Sequence, residues 1–108
     1  MDRKKTLIAE LQQFAQNISK DYPLTKMILF GSQATGRVTR HSDIDLIIVS
    51  KKFRGKRHLK RSPNLYMKWD LDYPVDFLCY TPEEFNKKKK MIGIVQQAVK
   101  EGIEIKAG

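Results

Sequence analysis

The sequence predicts a single α/β (α+β) domain, residues 1–108, with a small mixed β-sheet of three to four strands flanked by helices. Amphipathic helical patterns alternate with short apolar runs, and no repeat or low-complexity linker divides the chain. A length of 108 residues suits one hydrophobic core, and a hydrophobic content of 41% is ordinary for a globular protein. These observations together predict one folded unit.

The first half of the chain alternates between predicted helix and predicted strand. Residues 3–20 place apolar side chains at helical spacing, with Asp2 as the expected N-cap, and the helix ends before Pro23. A strand follows at residues 25–30, and after a turn and a short helix a second strand runs from Asp43 to Val49. Because this second strand is almost wholly apolar after its carboxylates, we expect it to be central in the sheet.

The second half begins with a basic helical segment. Residues 56–69 are expected to be helical, with an interruption at Ser62-Pro63 and four candidate core residues, Leu59, Leu65, Tyr66 and Trp69. A third strand is predicted at residues 75–80. The segment Thr81 to Glu84 then has the pattern of a capping box, which opens a helix through Ile92, Val95 and Val99. That helix is expected to stop at Gly102, and residues 103–106 to add a short edge strand.

The charge of the chain is strongly basic and unevenly distributed. The formal net charge is +9, and residues 46–69 contain no acidic residue. That stretch carries eight basic ones, Lys51, Lys52, Arg54, Lys56, Arg57, Lys60, Arg61 and Lys68. Such a surface fits a nucleotide, a nucleic acid or an acidic protein face, and it equally fits a solvated surface that keeps the protein soluble.

Two further features bear on the compartment. No apolar run approaches the roughly 20 residues that span a bilayer, and the first residues lack the pattern of a signal peptide. Cys79 is the one cysteine, so no internal disulfide can form, and its apolar surroundings indicate a core residue. We therefore expect a cytoplasmic protein with no membrane partner.

Two carboxylates mark the start of the second predicted strand. Asp43 and Asp45 are two residues apart, so their side chains leave the same face of the strand. Anions that close repel each other, and aspartate is a poor strand former, so a purely structural role is disfavoured. Mg²⁺ would resolve the conflict because it prefers carboxylate and phosphate oxygens. If the strands are neighbours, Asp76 converges on the same point, and three carboxylates suit two metal ions.

A Gly-Ser pair precedes these carboxylates. Gly31-Ser32 stands where a predicted strand enters a helix, and such a turn presents free N–H groups to a phosphate. Arg37 and Arg40 are near enough in sequence to help neutralise a triphosphate, and the sequence does not choose between them. Taken singly, a Gly-Ser pair is usually a turn and Asp-x-Asp is usually a cap or a solvated loop. The joint pattern is what indicates a nucleotide site.

The segment Gly31-Ser32-Gln33-Ala34-x-Gly36-Arg37, followed by Ser42-Asp43-Ile44-Asp45-Leu46, resembles the signature of the DNA polymerase beta-like nucleotidyltransferase superfamily. It is most similar to the minimal nucleotidyltransferases of bacteria and archaea, over nearly the whole chain. The resemblance implies a nucleotidyltransferase fold and the transfer of AMP from ATP to an acceptor hydroxyl.

The resemblance also implies roles for particular residues. Nucleotide binding would fall to Gly31, Ser32, Arg37 and Ser42. The ligands of Mg²⁺, two ions in all, would be Asp43, Asp45 and Asp76, and Asp76 would also be the candidate base for the attacking hydroxyl.

The small size of the chain bears on the acceptor. A bare catalytic domain can bind triphosphate and metal but would hold an acceptor poorly, which predicts a partner protein or a homodimer. Minimal nucleotidyltransferases of this type resemble the antitoxin half of two-gene toxin–antitoxin pairs. The resemblance therefore implies a HEPN-domain toxin as partner, adenylylated on a tyrosine.

Two functions of other classes stay open. The chain could be a binding module that masks its partner sterically, although an intact three-acid set argues against a vestigial site. Alternatively, residues 51–68 and Lys87 to Lys90 bind nucleic acid, the acceptor is an RNA end, and Tyr66 and Trp69 stack on bases. The sequence holds no recognised RNA-binding module, which weakens this second alternative. No feature of the sequence identifies the nucleobase, so the expectation that ATP is the substrate rests on the resemblance alone.

Overall fold

The computed structural model describes residues 3–31, 34 and 43–107. The expected cap Asp2, most of the expected short helix, and the site residues Ser32, Arg37, Arg40 and Ser42 lie outside these described residues. The described chain forms these elements in order: α1 (Arg3–Ser19), β1 (Leu24–Phe30), β2 (Ile44–Ser50), a 3-10 turn (Lys51–Phe53), α2 (His58–Arg61), α3 (Pro63–Lys68), β3 (Val75–Tyr80), α4 (Pro82–Lys88), α5 (Ile94–Glu101) and β4 (Ile103–Glu104).

The four strands form one mixed sheet in the order β3-β2-β1-β4. Strand β1 runs antiparallel to β2 and to β4, whereas β2 and β3 are parallel. The predicted α/β class with a small mixed sheet is therefore confirmed. The central position of β2 is confirmed as well, since all its residues except Asp45 are buried.

Each face of the sheet carries its own apolar cluster. Helix α1 packs Leu7, Leu11 and Phe14 against one face, where alternate residues of β1 and β2 point. The intervening residues of both strands point to the other face, where α4 and α5 contribute Phe85, Val95 and Ala98. Because Asp45 alternates with the buried neighbours that face α1, its side chain lies on the face that α5 covers. No helix in the described ranges has the length and apolarity to cross a bilayer.

Two sequence expectations about the core are wrong. Leu59 is 88% exposed and Tyr66 43% exposed rather than buried, although Leu65 is buried and Trp69 packs against the core, as expected. The last predicted helix is two helices, α4 and α5, separated by residues 89–93. That break turns α5 so that Val95 and Ala98 face the sheet, and it leaves Ile92 98% exposed and Val99 48% exposed.

Part of the basic stretch belongs to the fold and not to a binding surface. Arg61 is buried, and its guanidinium donates to the Glu84 carboxylate at 2.6 Å and to the Cys79 carbonyl at 3.1 Å. The hydrogen bond from Arg61 is the main reason why the pKa of Glu84 falls to about 2. Glu84 also completes the predicted capping box with Thr81, so one ion pair ties α2, β3 and α4 together.

We expect Arg61→Met to lower the free energy of unfolding by about 3 kcal/mol, because Glu84 and the Cys79 carbonyl lose a charged donor. The ordinary pKa of Glu84 is 4.5 and its folded value is lower, so its contribution is present above about pH 4.5 and lost as the pH falls toward 2. Urea unfolding at several pH values measures both effects. Lys60→Met, on the same short helix but exposed, should stay within about 0.5 kcal/mol of the parent; an equal loss in both variants would refute the assignment.

Candidate active site

Two carboxylates stand side by side at one end of the sheet. Asp45 of β2 pairs in register with Asp76 of the parallel neighbour β3. Adjacent strands lie about 4.8 Å apart, and register partners of a parallel pair point to the same face. The conditional expectation that the two strands are neighbours is therefore met, and Asp45 and Asp76 line one cleft.

The third predicted acid lies next to this pair. Asp43 is exposed and stands just before β2, two residues from Asp45. Burial raises the pKa of Asp45 above its ordinary value, and the negative charges of Asp76 and of Asp43 raise it further. The fold thus holds anionic groups close to one another at an electrostatic cost, as the spacing in the sequence predicts.

Within the described ranges, no three His, Cys, Asp or Glu side chains are grouped so that they could hold a metal ion. Asp43 therefore does not join Asp45 and Asp76 in the three-carboxylate site that the sequence predicts. Mg²⁺ does not need such a group, because it usually takes one or two carboxylates together with substrate phosphates and waters. The adjacent carboxylates of Asp45 and Asp76 supply the oxygen donors that this coordination needs. The residues present therefore fit a magnesium ion that binds with its nucleotide.

The backbone at Gly31, which follows β1, lies close to this pair of carboxylates. Gly31 has a φ of +80°, a conformation that favours glycine, and an added Cβ would lie 2.7 Å from Oδ2 of Asp45. The Gly31 carbonyl accepts a hydrogen bond from Ala34 N at 3.1 Å, and the Ala34 carbonyl accepts one from Lys4 Nζ at 2.7 Å. Helix α1 thus helps to fix the turn, and the residues predicted to bind phosphate begin beside those predicted to bind metal.

A cleft of about 660 Å³ opens over the acid pair, within the range of small-molecule sites. Residues of the sheet, among them Phe30, Asp45 and Leu78, form its floor, and Ile94, Gln97 and Glu101 of α5 line one wall. Sequence reasoning missed this wall. The spacing of positions 94, 97 and 101 does predict one helical face, but only the chain path places that face opposite the carboxylates.

The exposed basic residues of the segment 51–57 lie away from this cleft. Asp45 pairs with Phe30 at one end of the β1–β2 ladder, and Ser50 pairs with Leu24 at the other. Lys51 to Arg57 therefore follow the end of β2 that lies about 17 Å from Asp45 along the strand. Within the described part of the chain, the lining of the cleft includes no lysine or arginine. The expectation that Arg37 meets the triphosphate falls on a residue outside the described ranges.

A mixed sheet with paired carboxylates beside a glycine turn, under a cleft of this size, fits a domain of the nucleotide-transfer class. The chain belongs to the nucleotidyltransferase domain family, whose model matches residues 11–105. This agrees with the superfamily that the motif resembles.

The chain was compared with curated proteins and with solved structures, and the second comparison supports the same fold. No curated protein matches the chain. Among solved structures, the chain is similar to a protein of Sulfolobus solfataricus described as a candidate nucleotidyltransferase, at 18% identity and a TM-score of 0.66. The match covers 94% of this chain and 80% of that one. At this identity the likeness concerns the fold alone.

Gly31→Ala tests the close approach of the turn to the carboxylates. We expect a loss of about 1 kcal/mol of stability from the left-handed conformation, together with a loss of nucleotide binding, because the new Cβ displaces the Asp45 carboxylate. Gly55→Ala is the matched control, since Gly55 has φ of +79° but an added Cβ there meets nothing within 4 Å. It should cost similar stability and spare binding of ATP, measured by calorimetry with Mg²⁺. Unimpaired binding by Gly31→Ala would contradict this geometry.

Proposed function

We propose that this domain transfers AMP from ATP, in the presence of Mg²⁺, to a hydroxyl group of a partner protein. The family assignment supports nucleotide transfer, and the observation that carries the proposal is the register pair Asp45–Asp76 beside Gly31 in one cleft. The nucleotide and the acceptor hydroxyl would meet in this cleft, where the Asp45 and Asp76 side chains lie next to each other.

Asp45 and Asp76, with Asp43 as the third ligand implied by the motif, would hold Mg²⁺, which when bound neutralises the carboxylates and the triphosphate and makes the α-phosphorus more electrophilic. The N–H groups of the turn after Gly31, together with the Ser32 hydroxyl and with Arg37 and Ser42 as implied by the motif, would bind phosphate oxygens.

In the transfer step, the acceptor oxygen forms a bond to the α-phosphorus. The bond from the α-phosphorus to the oxygen that bridges the α- and β-phosphates breaks. Pyrophosphate leaves, and the Asp76 carboxylate takes the hydroxyl proton.

A protein acceptor is supported by an apolar surface beside the cleft. Met91 is 55% exposed, Ile92 98% and Ile94 55%, and Ile94 also lines the cleft. Lys87 to Lys90 precede this apolar patch, so a complementary partner presents apolar side chains surrounded by carboxylates. A second copy of a chain with a net charge of +9 fits such a surface less well.

The resemblance of the motif suggests which partner this is. We propose a HEPN-domain toxin that is silenced by adenylylation of a tyrosine, with the reaction located in the cytoplasm. Steric masking without chemistry is the alternative, and the experiments below separate the two.

An RNA end as acceptor receives less support. The exposed lysines of residues 51–60 follow the end of β2 away from the carboxylates. Trp69 is occupied in the core, where its Nε1 donates to the Tyr73 carbonyl at 2.8 Å and its ring meets Phe14 at 5.0 Å. It is therefore not free to stack on a base.

Asp43→Asn, Asp45→Asn and Asp76→Asn should each reduce transfer at least 100-fold, measured as radiolabel moved from ATP to the candidate toxin in the presence of Mg²⁺. The free energy of unfolding of Asp45→Asn at pH 7 should equal or exceed that of the parent, because the raised pKa of Asp45 shows that its charge is disfavoured in the fold. If the variants still neutralise the toxin, steric masking is the mechanism. Label on RNA instead of protein would support the RNA alternative.

Ile92→Ser should weaken labelling of the protein acceptor about tenfold, because it removes an apolar contact at the patch beside the cleft. Leu59→Ser is the matched control, since Leu59 is similarly exposed, at 88%, on the short helix α2. The initial rate of labelling at limiting toxin concentration measures the effect. Equal effects of the two substitutions would show that the patch is not the docking surface.

A further inference from the structure

One wall of the cleft has a polar arrangement that the transfer chemistry does not use. Ile94, Gln97 and Glu101 follow one another at positions i, i+3 and i+7 of α5, and all three line the cleft. Leu78 of β3 adds an apolar surface to the same cleft. This wall therefore combines aliphatic contact area with hydrogen-bonding groups.

The polar groups of the wall are exposed, and they form a hydrogen bond with each other. The Gln97 amide donates from Nε2 to Oε2 of Glu101 at 3.2 Å. A glutamine amide has two N–H donors and one carbonyl acceptor, so this bond leaves one N–H and the oxygen Oε1 to face a ligand. A donor and an acceptor that lie side by side on one amide can bond to a ligand as a bidentate pair.

That unit matches one nucleobase better than the others. Glutamine pairs bidentately with adenine, because its oxygen accepts from the 6-amino group and its N–H donates to a ring nitrogen. Leu78 lies on β3, two strands away from the β1 end that leads into Gly31, which is about 10 Å across the sheet. A nucleotide with its phosphates at Gly31 can therefore extend its base toward Leu78 and Ile94.

We propose that the α5 wall is the nucleobase subsite and that Gln97 selects a 6-aminopurine. Leu78 and Ile94 contact the faces of the base, and Glu101 acts as a positioning residue that orients the Gln97 amide. This inference rests on the proposed function, since it concerns the nucleotide of the same cleft, and it gives the preference for ATP a structural cause.

The test compares two nucleotides that differ by one amino group. Calorimetry with the full chain and Mg²⁺, without acceptor, measures the Kd of ATP and of purine riboside 5′-triphosphate, which lacks the 6-amino group. The parent should prefer ATP by about 5- to 100-fold, and Gln97→Ala should bind both within about twofold of each other. Gln96→Ala, the neighbouring glutamine outside the cleft lining, should keep the parental preference.

Two substitutions test the positioning role of Glu101. Glu101→Ala should reduce the preference for ATP less than Gln97→Ala does, because the amide remains but is no longer held. Glu101→Gln should retain the preference, because its amide oxygen can still accept the bond from Gln97.

The outcomes separate this inference from the proposed function. Equal binding of both nucleotides by the parent, or a preference that survives in Gln97→Ala, would overturn the subsite while leaving nucleotide transfer in place. If Gln97→Ala leaves the ratio unchanged but raises the KM for the protein acceptor, the wall binds the acceptor instead of the base. Failure of the parent to bind either nucleotide would overturn both proposals.

Discussion

The repulsion between the carboxylates of Asp45 and Asp76 is the constraint around which the rest of the structure is arranged. Two negative charges on adjacent strands are unfavourable in a partly buried site, and the pKa of Asp45 is raised first by burial and then by the charge of Asp76. The cost persists because β2 is fixed by the burial of its other six residues on both faces of the sheet. The hydrophobic core therefore holds the acid pair in an arrangement that a divalent cation would relieve.

Gly31 shares this constraint. Because Gly31 has no side chain, the Asp45 carboxylate can lie within 2.7 Å of the position that a Cβ would take, and the positive φ of Gly31 turns the chain at this point. The contact from Lys4 to the Ala34 carbonyl links the same turn to α1. The residues predicted to bind phosphate and metal can consequently adjoin at one end of the four-stranded sheet that the described residues form.

Helix α5 serves three parts of the molecule at once. Val95 and Ala98 close the second apolar cluster, Ile94, Gln97 and Glu101 line the cleft, and Val99 stays exposed. Gly102, which ends α5, lies close to strand β1, since an added Cβ at Gly102 would lie 2.8 Å from the Leu29 carbonyl oxygen. Because core, cleft and exposed surface share one rigid helix, nucleotide and partner would meet on the same element.

The sequence by itself determined the class of the fold and the residues of the acid motif. Short apolar runs predicted β1, β2 and β3, the helical pattern predicted α1, and the capping box at Thr81 predicted the start of α4, because these signals depend on neighbours a few residues away. The pairing of Asp45 with Asp76 needed one further fact, that β2 and β3 are adjacent.

Tertiary structure alone decided the rest. The apolar pattern of Ile92, Val95 and Val99 predicts one continuous helix, yet the chain forms two helices, and Val95 and Ala98 of the second one, α5, pack on the sheet. Likewise, Arg61 belongs to a run of basic residues that any local reading treats as surface, and it is buried because Glu84 and the Cys79 carbonyl meet it from distant parts of the chain. Burial of a charge depends on partners brought by the fold, and sequence spacing does not contain that information.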